Sequence, residues 1–379
     1  MVIRSESILF GVGVAAHLEC DRVLHLNDYH PSAQPGFQLH VSAVDDIVAE
    51  ADVRVGLMHR GAEKLFEARD YRQIMMLANR HDWLSAFSSE LGIALAVESA
   101  TGITPPERAT WIRTLLAEAN RISVALAFLA PVAEDQSVRA MLFDAREQLT
   151  AFQERATGGR VHPMFTRIGG VAAPLPAERL TDCAELIDRL TPAAARAIDL
   201  SHSLRGTLSG LARLSRSDAV AMGTSGPVAR ASGLDLDLRR DDPYAAYGEL
   251  RELITVPVSD QGDAAARYEV LAAQIPISLN LMSACVDRLR ELGEGPIDVL
   301  LPKAVRVPEG ITHAWMEGPL GIAGYLLASV GEKTPWRLKV RSASFNNVQA
   351  MAPALVGVPL DRLADAVMSF MFVVGDIDR

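Results

Sequence analysis

The chain has 379 residues, 49% of them apolar, and a net charge of −10 with both signs mixed throughout. That supplies a large core, in two or three domains or one large folded unit, and no basic stripe points to nucleic acid. No apolar run reaches the roughly 18 residues that span a bilayer; the longest, Ile8 to Leu18 and Val124 to Ala133, fall short, so membrane association is expected through a partner or a surface.

At the N-terminus Met1 to Ser7 is polar and Ile8 to Ala16 apolar, but Arg4 and Glu6 cancel, and a signal peptide needs a cationic start. Gly11-x-Gly13-x-x-Ala16 resembles half of a dinucleotide fingerprint. That motif needs a strand before it, a helix after it and a βαβ unit; a short apolar run does precede it, but His17 to His25 are polar and mixed and no βαβ repeat follows, so a Gly-containing hairpin is the reading. Cys20, Cys183 and Cys285 lie far apart, too few for a disulfide framework and suited to a reducing cytosol.

Pro31, Pro35 and Gly36 predict a loop that holds His30 and Gln34. Phe37, Leu39 and Val41 alternate with polar residues and predict a strand, Asp45-Asp46 a turn, and Ile47 to Val55 the return strand of a hairpin. A turn carrying His59, Arg60 and Gly61 follows, and two helical stretches flank the polar cluster Asn79, Arg80, His81, Asp82 and Trp83. Charged and aromatic side chains between apolar elements are where a rigid scaffold presents a site. The charged pair His59-Arg60, just after a buried strand, is read as lining a crevice rather than as solvated surface.

Thr104-Pro105-Pro106-Glu107 predicts a helix start with Thr104 as cap and Glu107 completing a capping box. Ile112, Leu115, Ala119, Ile122 and Leu126 give its apolar stripe, Glu118 and Arg121 can pair across one turn, and Pro131 ends it. A second helix covers residues 137 to 157, closed by Gly158-Gly159. A glycine-rich loop through Gly169-Gly170 leads to a helical pair, 177–190 and 192–206, with Pro192 opening the second. Residues 222–247 read as a long packed loop, functional or interfacial. Residues 263–292 form a long helix kinked at Pro276. Strands at His313 to Glu317, Gly321 to Val330 and Trp336 to Val340 follow, and Leu360 to Phe372 is a closing amphipathic helix. The chain is therefore α+β and mainly helical, with small antiparallel sheets near both ends. It divides as an N-terminal hairpin region (1–55), a helical body (56–312) and a C-terminal sheet with its helix (313–379), within one folded unit.

The stretch Gly56-Leu57-x-His59-Arg60-Gly61-x-Glu63-Lys64-Leu65, then Arg80-x-Asp82-aromatic, resembles the 49-kDa or D-type subunit of the NADH–quinone oxidoreductase, respiratory complex I. The resemblance continues through Pro106-x-Arg108-Ala109-x-Trp111-Ile112-Arg113, Glu118-x-Asn120-Arg121, Gly223-x-Ser225-Gly226, Arg230-Ala231-Ser232-Gly233, Asp237-Leu238-Arg239, Pro243-Tyr244, Gly262-Asp263, Glu317-x-Pro319-x-Gly321, Ser344-Phe345 and the Asp378-Arg379 ending. It covers residues 28 to 379. It implies the fold of the nickel–iron hydrogenase large subunit without its metal ligands, and indeed the chain has no Cys-x-x-Cys pair for a metal.

The family's role, as the resemblance implies it, is one wall of a quinone crevice in a proton-translocating complex that oxidises NADH or another donor. The chain would bind no cofactor itself. The iron–sulfur cluster would belong to a B-type hydrophilic partner, with a C-type hydrophilic partner and membrane-arm subunits completing a complex on the cytoplasmic face of the cell membrane. The crevice residues carried over are His30, Gln34, His59, Arg60, Asp82 and Trp83, with Glu118 and Arg121 as an ion pair. Typical members place a histidine where this chain has Gln34 and a tyrosine where it has Trp83. Both typical residues can donate a proton to a reduced quinone; Gln and Trp donate hydrogen bonds only. A divergent paralogue using a different quinone, such as menaquinone, or a different donor is one expectation. A docking module of the same fold without quinone chemistry is the other. His81 stands where typical members are apolar, but helical spacing sets i and i+2 about 200° apart, away from Trp83, so a structural histidine is expected there.

Overall fold

A computed structural model of the chain describes residues 3–10, 21–24, 26, 29–33 and 37–379. The Gly11-x-Gly13 stretch, Cys20 and Gln34 lie outside the described residues.

The first sheet is larger than the expected hairpin. Strands β1 (Ile3–Phe10), β2 (Arg22–Leu24), β3 (Phe37–Val44) and β4 (Ile47–Arg54) lie in the order β2-β1-β3-β4, β1 running antiparallel to β3 and parallel to β2. The β3–β4 turn is where the sequence put it: Asp45 and Asp46 both take positive φ, 52° and 60°, the geometry of a tight two-residue hairpin that Asp tolerates better than most residues. Phe37, Leu39, Val41 and Ala43 point into the core.

Short α1 (Ala62–Glu67) leads into α2 (Tyr71–His81), whose N-terminus is closed by a capping box between Asp70 and Gln73. Then come α3 (Ala86–Thr101), α4 (Glu107–Leu129) and α5 (Gln136–Thr157). Pro106, not Thr104, occupies the α4 cap position, with no side-chain cap bond. A proline there has no N–H to satisfy and sets the entry angle by itself. From Arg108 to Leu129 every α4 residue but Thr110 is buried. The apolar stripe is thus one face of a helix enclosed all round, and its charged residues must find partners inside.

A two-strand turn, β5 (Thr166–Arg167) and β6 (Gly170–Val171), precedes α6 (Ala177–Ser203). This is one helix, not the expected pair, with Pro192 inside it. Pro192 is on the exposed face, where the carbonyl it deprives of a bond can be hydrated. Four short helices follow: α7 (Arg205–Leu208), α8 (Arg216–Ala221), α9 (Gly226–Ala231) and α10 (Leu238–Asp241). The last two fall in the stretch expected to be loop. Long α11 (Ala264–Leu292), with Pro276 inside, packs along α4 and α6.

Glu107–Val132 and Ala264–Leu292 each contain an 18-residue stretch long and apolar enough to cross a membrane, contrary to the reading of short apolar runs, but 94% and 61% of those stretches are buried within the protein. Apolar length here is core.

The C-terminal sheet is an antiparallel meander, β7 (Gly310–Gly318), β8 (Gly321–Ser329) and β9 (Arg337–Arg341). It lies on α3, where Gly92 leaves room for the Tyr325 ring. The expected closing helix is broken into pieces. After α12 (Ala343–Gln349) and α13 (Met351–Leu355), α14 runs only from Leu363 to Met368, Met371 takes positive φ of 50°, and a last turn, α15, spans Val374–Ile377. Phe370 to Asp378 is buried throughout, so one-sided amphipathicity was the wrong template. A β-bridge between Ile47 and Pro359 brings this end of the chain to the first sheet.

Candidate functional site

The C-terminal segment from Phe372 to Asp378 touches three of the stretches that the sequence singled out. At its start, the Ser32 hydroxyl donates to the Phe372 carbonyl (2.8 Å) and accepts from its N–H (3.2 Å), and the Phe37 and Phe372 rings pack at 4.8 Å. In the middle, the Gly375 backbone lies against the Trp83 ring and the His81 carbonyl, so closely that a methyl group on Gly375 would overlap both. At its end, the Asp378 carboxylate accepts the N–H groups of Gly56 and Met58, each at 2.7 Å, and its carbonyl meets His59 Nδ1 at 2.9 Å.

His30 itself turns inward. It is 1% exposed, packs edge-on against Phe128 at 5.3 Å, and takes the Ser32 N–H on Nδ1 at 3.3 Å. Burial lowers its imidazole to about 3, so it stands neutral. Arg60 and Trp83 do come together: the guanidinium lies 5.9 Å from the indole centroid and donates to the Arg80 carbonyl at 2.9 Å. Trp83 also lines a cleft of about 190 Å³ with Leu84, Phe87, Asn120, Arg146 and Arg160. Inside it Asn120 Oδ1 and Arg146 Nε have no hydrogen-bond partner among the described residues.

The helical-spacing argument about His81 does not hold. Helix α2 ends at His81, and Asp82 takes φ −107°, ψ 86°, outside the helical region. His81, Asp82 and Trp83 therefore fan out from a helix terminus rather than around a cylinder. His81 is buried, with Nδ1 3.5 Å from Oδ1 of Asp376. Asp82, also buried, accepts the Ser85 N–H at 3.1 Å, and its carboxyl is raised to about 6 by burial and by the negative charge of Asp376.

Glu118 and Arg121 belong to a different place, the centre of the helical body. They pair at 3.2 Å and share a fully buried network. Glu118 also accepts from Arg239 (3.0 Å), Tyr247 (2.6 Å) and Ser278 (2.6 Å). Arg239 and Arg230 both bind Asp237, Arg230 binds Glu317 at 2.9 Å, and Arg121 caps the carbonyls of Glu317 and Gly318. Burial would push the Glu118 carboxyl up, but Arg121 and Arg239 hold it below its ordinary value. Arg341 lies within the field of both Glu317, in this network, and Asp376, in the C-terminal segment.

Sequence reasoning missed the organising role of Phe372, Gly375, Asp376 and Asp378, quoting some of them only as an ending. One signal was available: two aspartates directly after the apolar run Phe370 to Val374, where acidic groups must be buried with partners. Among the described residues no three His, Cys, Asp or Glu side chains gather as a metal-ligand group.

Residues 135–303 and 298–379 match the protein family described as "Respiratory-chain NADH dehydrogenase, 49 Kd subunit". The chain is 47% identical to the second D-type subunit of the NADH-quinone oxidoreductase of Streptomyces griseus subsp. griseus, over 99% of this chain and 97% of that protein. It is 48% identical to the first D-type subunit of the same enzyme in Streptomyces coelicolor (97% and 98%) and 33% identical to the D-type subunit of Granulibacter bethesdensis (94% and 96%).

Proposed function

The chain belongs to the family of the 49-kDa, D-type subunit of NADH–quinone oxidoreductase, and from that premise we propose that it forms one wall of a quinone-binding crevice at the Arg60–Trp83 edge. The observation that carries this reading is the segment Phe372 to Asp378, which ties the loop after His30, the His59–Arg60 turn and the Asp82–Trp83 terminus to one stretch of backbone. Arg60 and Trp83 offer a cation and a flat aromatic face to a planar head group, beside the cleft that Trp83 lines.

In this reading the electrons arrive from a neighbouring subunit that holds an iron–sulfur cluster, and this chain binds no cofactor of its own. NADH, or another donor, is oxidised in further subunits. Exposed Leu300 and Met76, flanking a groove lined by Met75, Met164, Ile168 and Leu301, support a packed partner surface. The long apolar helices are used up in the core, so the chain would sit peripherally on the cytoplasmic face of the membrane, held by membrane-arm subunits through which the reaction drives proton translocation. The departure at Trp83 fits a divergent copy of the subunit.

Trp83 favours one rival reading, a docking module that has lost quinone chemistry, because an indole cannot release a proton to a reduced quinone. Purification of the complex from membranes, identification of its chains and a quinone-reductase assay separate the two. Quinone reduction by the native complex supports the crevice. Activity absent from it, and gained only on Gln34→His with Trp83→Tyr, supports the docking module.

A further inference from the structure

We propose that His81, Asp82 and Asp376 form a buried proton-holding site that supplies the crevice in place of the missing phenol at Trp83. The inference rests on the quinone reading above.

The three side chains are 3%, 9% and 4% exposed; the α2 terminus packs on α15, which sets His81 3.5 Å from Asp376, with Asp82 next in sequence to His81. Neither ring nitrogen of His81 has a well-formed hydrogen bond among the described residues, although Asp376 is 3.5 Å away. A structural histidine in a core is ordinarily satisfied at its nitrogens, because a buried unmet polar atom costs about 1–3 kcal/mol. Here two carboxylates and an imidazole share one low-dielectric space, and like charges there cannot both persist without a proton or a cation between them.

The groups facing the site from each side are few. Asp82 comes from the α2 terminus, Asp376 from α15, Tyr325 from β8 and Arg341 from the end of β9. Ser344 N–H donates to Asp376 Oδ2 at 3.1 Å and Ser85 N–H to Asp82 Oδ1 at 3.1 Å. Burial opposes the ionised form of Asp376, but His81 and the Ser344 contacts prevail and favour it. That leaves Asp82, held up near 6, as the carboxyl that gives up and takes back a proton. The site adjoins the crevice through covalent neighbours: Trp83 follows Asp82, and Gly375, against the Trp83 ring, precedes Asp376.

The balance is simple. Quinone takes up two electrons, delivered from the donor through the complex, and two protons to become quinol. One proton leaves the His81–Asp82–Asp376 site and is replaced from solvent; the other comes from water. These residues act at one remove from the reacting oxygens, so they are positioning and proton-holding residues.

The test is the pH profile of quinone reduction by the purified complex carrying His81→Leu or His81→Gln. The expected result is kcat lowered about ten-fold or more below about pH 6, where wild type holds the proton, and converging on wild type at alkaline pH, with KM little changed, and recovery when Trp83→Tyr is added to His81→Leu. If His81→Leu does not assemble, His81→Gln and the isosteric Asp82→Asn carry the same expectation. The redox-induced infrared difference spectrum of the wild-type complex needs no variant, and should contain a protonated-carboxyl band that changes on quinone reduction. Variant profiles that superimpose on wild type, a loss equal at every pH and not rescued by Trp83→Tyr, or a spectrum without that band would overturn the proton site. A wild-type complex that reduces no quinone at any pH is a separate outcome, and removes the crevice reading itself.

Discussion

The carboxylate of Asp378 accepts the backbone N–H of Gly56 at 2.7 Å, across 322 residues of chain. Its second oxygen takes the Met58 N–H at the same distance, so one side chain near the C-terminus fixes the turn that carries His59 and Arg60. Hydrogen bonds to an ionised acceptor are worth about 1.5–3 kcal/mol. Asp378→Ala is expected to lower the thermal stability of the complex and to raise KM for quinone by loosening Arg60, with Asp378→Asn intermediate because it keeps one acceptor oxygen. An unchanged melting temperature and KM in the alanine variant would contradict this role.

Asp82 gives a pH prediction with a definite sign. Its carboxyl is raised to about 6 in the folded chain, by burial first and Asp376 second. A carboxyl raised on folding binds its proton more tightly in the native state. Its contribution is therefore fully present below the unfolded value, about 4, and lost as pH rises through about 6. Asp82→Asn removes that loss. The variant should match or exceed wild type in stability at pH 7–8, by on the order of 1–3 kcal/mol, with the gap closing below about pH 4. Melting curves taken across that range check it; a variant less stable than wild type at neutral pH would count against the assignment.

Gly375 is next to Trp83 for lack of a side chain. A β-carbon there would strike the indole and the His81 carbonyl, and the carbonyl, being backbone, cannot swing away. Gly375→Ala should destabilise by about 1–3 kcal/mol, as overpacked cores do, and displace the Trp83 ring. A Trp83 fluorescence signal, read against a Trp83→Phe control, should shift in wavelength or intensity. Identical spectra and stability would mean that the segment does not hold the ring.

Local patterns were legible where burial is one-sided. The β3–β4 hairpin, the Gly158 helix stop and the C-terminal meander each follow from alternation or from a turn residue that few others could replace. Enclosed elements were not. Helix α4 and the segment Phe370 to Asp378 are buried all round, so no periodicity marks which side matters. Pro192 misled because a proline on an exposed helix face costs less than one facing the core. At the site, Arg60 does lie beside Trp83, but the anchor that the two stretches share is at the far end of the chain, and only folding brings Asp376 and Asp378 to them. The direction of His81 relative to Trp83 was misread for a related reason: helical geometry was carried past the helix end.

The same enclosure makes Glu118 the most consequential charge in the helical body. Three guanidinium groups, Arg121, Arg230 and Arg239, face three carboxylates, Glu118, Asp237 and Glu317, so the network is neutral when intact. Glu118→Gln keeps the shape and removes one charge, leaving Arg121 and Arg239 with a net positive excess out of reach of water. Breaking one member of such a group typically costs about 3–5 kcal/mol, so this variant should accumulate poorly and fail to enter the complex. Glu118 and Asp237 are both held below their ordinary values, burial opposing and the arginines prevailing. A depressed carboxyl contributes stability above its unfolded value, and that stability is lost as pH falls through the folded one. Wild type should therefore weaken in acid, below about pH 4, and Glu118→Gln should weaken less over the same interval because it has one fewer group to protonate. Acid unfolding curves for the two, compared in slope rather than midpoint, decide the matter: equal slopes would place the acid-sensitive charges elsewhere.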